Sequence, residues 1–89
     1  MSVHYCYIVE AGPFVKIGYT GNLDSRLEAL QTACPYEVSV LCLFPHMSEV
    51  TAREMELHFH KKFEHFRVRG EWFVKRRVLA RMRKERRKW

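Results

Sequence analysis

The segment Lys16-Ile-Gly-Tyr-Thr-Gly-Asn-Leu-Asp-Ser-Arg26 constrains the fold most, because it sets a strand end, a glycine turn, a helix cap and an arginine within eleven residues. Lys16, Ile17 and Gly18 close a run of strand character. Asn22 is of a type that caps helix N-termini, and Leu23, Leu27 and Leu30 then recur at helical spacing. Arg26 lies three residues after Leu23 and four before Leu30, inside the apolar stripe and not on the polar face opposite. A guanidinium placed there either clamps an anion such as phosphate or buries its stem and carries its head to water.

The flanking sequence supplies the other elements. His4 to Glu10 alternates, with Tyr5, Tyr7 and Val9 on one face and His4, Cys6, Ile8 and Glu10 on the other, which predicts a half-buried strand. Ala11-Gly12-Pro13 is a turn signal, and Phe14 to Tyr19 completes a hairpin. A helix is predicted from Leu23 to about Thr32, ended by Pro35. Val38 to Phe44 is nearly all apolar, which suits a strand beside the hairpin, buried on both faces. Thr51 and Glu54 have capping-box spacing, opening a helix to about Phe66 with Ala52, Met55, Phe59, Phe63 and Phe66 in its stripe. Glu56 and His60, four residues apart on the border of that stripe, face the same way. Gly70-Glu71-Trp72-Phe73 reads as a turn into a short extended piece. Val78, Leu79 and Met82 mark a last helix on a basic surface. The order β-β-α-β-α-α is that of an α+β domain.

A chain of 89 residues holds one modest core, and an aromatic content of 13% helps it reach adequate buried area. Charge is unevenly placed. Residues 1–73 carry seven Lys and Arg against nine Asp and Glu, a net of −2, whereas residues 74–89 carry nine against one, a net of +8. A near-neutral body with a cationic end points to a polyanionic partner, nucleic acid before an anionic membrane. Cys6, Cys34 and Cys42 are odd in number and show no CxxC spacing, which argues against a disulfide framework or structural zinc. The N-terminus lacks the order of a signal peptide, and no stretch approaches the roughly 18 apolar residues of a membrane span. A cytoplasmic protein is expected, in a bacterial or phage-infected cell.

The series Tyr-Ile-Val, Lys16-Ile-Gly-Tyr-Thr, Arg26, Glu56-x-x-x-His60-x-x-Phe63 and Gly-Glu-Trp-Phe resembles the GIY-YIG nuclease domain, most of all its short phage, bacterial and fungal branch. The likeness runs from Tyr5 to Phe73. It implies a three-stranded antiparallel sheet flanked by helices over residues 1–74; charge and spacing beyond it predict residues 75–89 as a basic helix packed on or extending from that domain. It also implies hydrolysis of a DNA phosphodiester with one divalent ion, Mg2+ or Mn2+. By position, Tyr7 would help activate water, with Tyr5 its competitor, Arg26 would stabilise phosphate charge and Glu56 would hold the metal, while Lys16, Tyr19 and His60 lend support. Lys16 stands where the best-studied members have a tyrosine, Cys6 or His4 stands near a motif glycine, and Glu71 is the only polar residue where a closing asparagine is usual.

These residue types suit that chemistry on physical grounds. A phosphodiester transition state gathers negative charge, so a fixed cation and a hard metal are what it asks for. One carboxylate with several waters is a common way to bind magnesium. A tyrosine base needs its pKa lowered, which Lys16 or a bound metal would do if close. His60 could order Glu56, relay a proton or add a ligand.

Lys75, Arg76, Arg77, Arg81, Arg83 and Lys84 could lie along a phosphate backbone with strongly salt-dependent binding. The alternative is a solvated helix packed through Val78, Leu79 and Met82. Membrane-surface binding ranks lower, since Trp89 is the only bulky anchor. Three functions stay in play: an endonuclease cutting duplex DNA, a DNA-binding accessory or inhibitory protein that does not turn over, and an RNA-binding module. Sequence choice would come from a homodimer or a protein partner.

Overall fold

Gly12 adopts φ of +58°, the left-handed conformation open to glycine, and folds the chain into the hairpin at the centre of the sheet. The structure is a computed structural model that describes residues 3–86; Lys88 and Trp89 of the basic tail lie outside the described residues, as do Met1 and Ser2. β1 (His4–Ala11) and β2 (Phe14–Thr20) pair antiparallel from Tyr5–Thr20 to Ala11–Phe14. After α1 (Leu23–Ala33), β3 (Val38–His46) pairs with the other edge of β1. α2 (Glu49–Lys62) leads through a 3-10 turn (Glu64–Phe66) to β4 (Arg67–Arg69), β5 (Trp72–Val74) and α3 (Lys75–Arg86). The sheet order is β3-β1-β2-β5-β4, antiparallel throughout.

The domain is α+β, as its element order predicts, but the sheet has five strands and not three. β4 and β5 are three residues each, joined at Gly70 with φ of +56°, and strands that short leave no periodicity to read. Burial is also distributed differently from expectation. β1 is an interior strand, and Cys6, Tyr7, Ile8 and Val9 are all fully buried, because elements cover both faces. β3 is an edge strand, with Val40 and Leu43 about two-fifths exposed. A register shift between Ile8 and Val9 leaves Leu41 unpaired with β1, and Leu41, Cys42 and Phe44 still pack on the core.

One face of the hairpin presents Ile8, Val15 and Ile17 to Phe63, Phe73 and Val78, all fully buried. Each such side chain contributes about 1.5–3 kcal/mol by leaving water. Val78 anchors α3 in this core, and Lys75 N–H donates to Pro13 O at 3.0 Å, tying the start of α3 to the hairpin turn. Asn22 caps α1 as predicted, its side chain accepting from Ser25 N–H at 3.1 Å. The cap of α2 lies three residues before the predicted one. Ser48 is the N-cap and accepts from Thr51 N–H at 3.2 Å, and α2 proper stops at Lys62, short of Phe66. A serine one turn earlier satisfies the same free N–H groups. Among the described residues, no helix is long and apolar enough to cross a membrane.

Candidate active site

β5 runs out beside Lys16, and at the edge of β2 just beyond it the polar side chains converge. Ile17 N–H donates to Glu71 O at 3.1 Å, while Ile17 O accepts from His60 Nε2 at 2.8 Å. Backbone groups that a longer β5 would have taken thus fix Glu71 and His60 in place. Because a carbonyl only accepts, His60 carries its proton on Nε2. Its Nδ1 then accepts from Arg67 Nη2 at 3.3 Å, and its ring stands edge-on to Phe73 at 5.1 Å. Both ring nitrogens are therefore engaged, which makes His60 a positioning residue.

One helical turn before His60, Glu56 is 7% exposed, and its Oε2 is buried with no hydrogen-bond partner. It is more deeply buried than a place on the border of the apolar stripe predicts. Glu56, His60 and Glu71 offer ligand atoms that lie within 4.8 Å of one another. Burial, and then the Glu71 charge, pushes the Glu56 carboxyl above the usual carboxylate range, while His60, Arg53 and Lys16 oppose that shift. Lys16 Nζ sits 3.1 Å from Glu71 Oε1 and 5.4 Å from the centre of the Trp72 ring.

Tyr7 approaches from the other face of the sheet. It pairs with Gly18, and its ring lies across the space where a β-carbon at Gly18 would stand. Arg26 Nη1 donates to the Tyr7 phenol oxygen at 3.2 Å. The half-buried Arg26 is therefore neither snorkelling freely nor opposite the site. Burial raises the Tyr7 pKa, Arg26 pulls it down, and Glu71 and Glu56 add to the rise. The expected lowering by Lys16 is corrected: the Lys16 ammonium sits on Glu71, Arg26 is the cation at the phenol, and desolvation outweighs it.

Tyr5 shares the Tyr7 face two residues earlier and pairs with Thr20, away from the Arg26 contact. Tyr19 pairs with Cys6, on the sheet face opposite Tyr7, and its side chain makes no hydrogen bond among the described residues. The basic helix divides. Lys75 pairs with Glu10 at 3.5 Å, Arg77 lies over the Phe66 ring at 5.3 Å and Arg81 bonds Glu85 at 3.1 Å. Arg76, Arg83 and Lys84 are exposed and make no ion pair among the described residues. Seven and eight residues apart, they share one side of α3.

Glu71 and Arg67 are the members that sequence reading misses. Glu71 reads only as the polar residue of the Gly-Glu-Trp-Phe turn, and its place beside Glu56 depends on the Gly70 turn; Arg67 carries no signal at all. Gly18 is legible only as a strand-end glycine, though its missing side chain is what admits Tyr7.

The family model described as the T5orf172 domain matches residues 4–89. No curated protein and no solved structure matches the chain. The matching family is not the GIY-YIG one, so the membership inferred from the motif series is corrected. The short strings behind that inference each have a structural duty of their own: Gly18 makes room for Tyr7, the Glu71 carbonyl holds Ile17, and Trp72 and Phe73 build β5.

Proposed function

This chain belongs to the T5orf172 domain family, a nuclease-associated, DNA-binding type of domain, and from that premise we propose that it is a metal-dependent endonuclease hydrolysing DNA phosphodiesters. The observation that carries the reading is the partnerless, buried Glu56 Oε2, grouped with Glu71 and His60 and close enough in charge to influence Tyr7. A buried carboxylate oxygen left without a hydrogen-bond donor is costly, and no donor among the described residues reaches it. Two carboxylates are the donor set that hard dications favour. Glu56 and Glu71 would hold Mg2+ or Mn2+, which when bound supplies a Lewis acid for charge developing on phosphate.

The chain's own residues do the remaining work. Arg26 has five N–H donors and spends one contact on Tyr7, leaving the rest of its fork for non-bridging phosphate oxygens. Tyr7 is a neutral phenol at rest, because burial raises its pKa. With its oxygen accepting from Arg26, its O–H is free to donate to phosphate or to orient the attacking water. His60 holds the α2 turn that carries Glu56 against β2. Arg76, Arg83 and Lys84 supply a cationic strip for the flanking backbone.

A second reading, a DNA-binding accessory domain that does not turn over, draws on the Lys16–Glu71 ion pair, which already neutralises one carboxylate. One assay separates the two. Supercoiled plasmid is incubated with Mg2+ or Mn2+ and wild type, Arg26→Ala or Glu56→Gln protein. Nicking by wild type alone is expected. Equal nicking by all three, with DNA still shifted on a gel, leaves the accessory reading in its place.

A further inference from the structure

On the sheet face that carries Tyr7, an open groove of about 500 Å3 reaches α1 at Leu30, one helical turn from Arg26, and the chemistry above makes no use of it. Its walls are chiefly Phe14 and Trp72 from the sheet, Leu30 from α1 and Tyr36 from the following loop, and the charged residues that line it, Lys16 and Arg69, are both cationic. The aromatic surface is held in place. Tyr36 is 44% exposed, yet its ring rests so closely on Gly12 that a β-carbon there would come within 2.6 Å of it. Phe14 stands edge-on to Tyr36 at 6.4 Å, and Trp72 carries the Lys16 ammonium over its ring.

A flat aromatic slot with a cationic rim matches a planar group attached to an anion. It is also contiguous with the candidate site. Lys16 lines the groove and bridges to Glu71. Leu30 follows Arg26 by one helical turn, about 6 Å along α1, so an anion at Arg26 and a ring beside Leu30 fall within the span of a single nucleotide. Bases in an uninterrupted duplex are stacked inward and cannot enter such a slot without leaving the helix.

We infer that this groove receives an unstacked nucleobase next to the phosphate at Arg26, so that DNA carrying an unpaired nucleotide is bound in preference to continuous duplex. The inference rests on the reading of Arg26 as a DNA phosphate contact. Stacking of a base on aromatic side chains is tolerant of base identity, so the preference is for DNA structure and not for sequence.

The test uses the full chain and duplexes that are identical except for one central unpaired 2-aminopurine. Fluorescence anisotropy in EDTA measures binding, and 2-aminopurine emission reports stacking. Wild type should bind the interrupted duplex about tenfold more tightly than the continuous one and quench its emission. Trp72→Leu and the more exposed Tyr36→Ala, each checked by circular dichroism, should bring the two affinities within about twofold and restore emission. Arg26→Ala should weaken binding to both duplexes while quenching persists at saturation. Equal wild-type affinities, or bound DNA with unchanged emission, overturn the groove proposal and leave the phosphate reading standing. No binding to either duplex overturns both, and tighter binding to the same sequence as RNA overturns the assignment to DNA.

Discussion

Tyr7 crosses Gly18 so closely that a β-carbon at that glycine would stand 2.7 Å from the ring carbon bearing the phenol oxygen. The missing side chain on β2 is thus what lets a tyrosine of β1 reach the edge of the hairpin and meet Arg26. Gly18→Ala should displace a fully buried ring that has no room to yield. Overpacking of this kind costs about 1–3 kcal/mol. A urea titration should show that loss, and nicking should fall more steeply than stability, since the Tyr7–Arg26 geometry goes first. A variant as stable and active as wild type would mean that the ring moves aside freely.

Arg26→Lys tests whether the fork or only the charge matters. Lysine keeps the cation but cannot bond the phenol and two phosphate oxygens at once. Loss of one preorganised donor at a developing oxyanion costs about 10²- to 10³-fold in rate. Nicking by Arg26→Lys should fall into that range with the thermal midpoint unchanged, because α1 buries none of its residues fully. A fall of less than about tenfold would make Arg26 a simple electrostatic contact.

The Glu56 carboxyl is held above its ordinary range by burial first and Glu71 second. The folded chain therefore binds that proton more tightly than the unfolded chain does. Stability from this group is complete below the unfolded-state pKa and is lost as pH rises through the folded value. Glu56→Gln keeps the shape and stays neutral, so without divalent ions its thermal midpoint should gain on wild type from mildly acidic to neutral pH, by on the order of 1 kcal/mol. Added Mg2+ or Mn2+ should raise the wild-type midpoint and leave Glu56→Gln where it was. Parallel curves with and without metal would show that Glu56 neither suffers from burial nor binds an ion.

Much of this fold is legible residue by residue. The Asn22 cap, the hairpin at Gly12 and the i, i+4 pairing of Glu56 with His60 all rest on local geometry, which sequence spacing encodes directly. The misread features depend on partners far along the chain. Interior β1 and edge β3 exchange their expected burial, because an apolar run does not say how many neighbours a strand will have. Glu56 passes from helix border to buried position only once α2 packs on the sheet. Glu71 enters the cluster through a backbone bond to Ile17, which no side-chain pattern records. The motif series points to the wrong family, since glycine, tryptophan and phenylalanine at those places answer to packing as well as to descent.

The basic helix allows a sharper test than its total charge, because six of its seven described cations split into two sets of three. Lys75, Arg77 and Arg81 are engaged with Glu10, Phe66 and Glu85, whereas Arg76, Arg83 and Lys84 project from α3 without ion-pair partners among the described residues. Every cation removed from a phosphate should reduce the slope of log affinity against log salt by about 0.9. Replacing Arg76, Arg83 and Lys84 with glutamine should therefore flatten the slope by about 2 to 3 and leave the denaturation midpoint alone. The same change at Lys75, Arg77 and Arg81 should spare most of the slope and lower stability by about 1 kcal/mol, the range for exposed ion pairs and cation–π contacts. Equal slopes for the two triple variants would place the phosphate contacts on the whole helix surface, not on the strip that the ion pairs leave open.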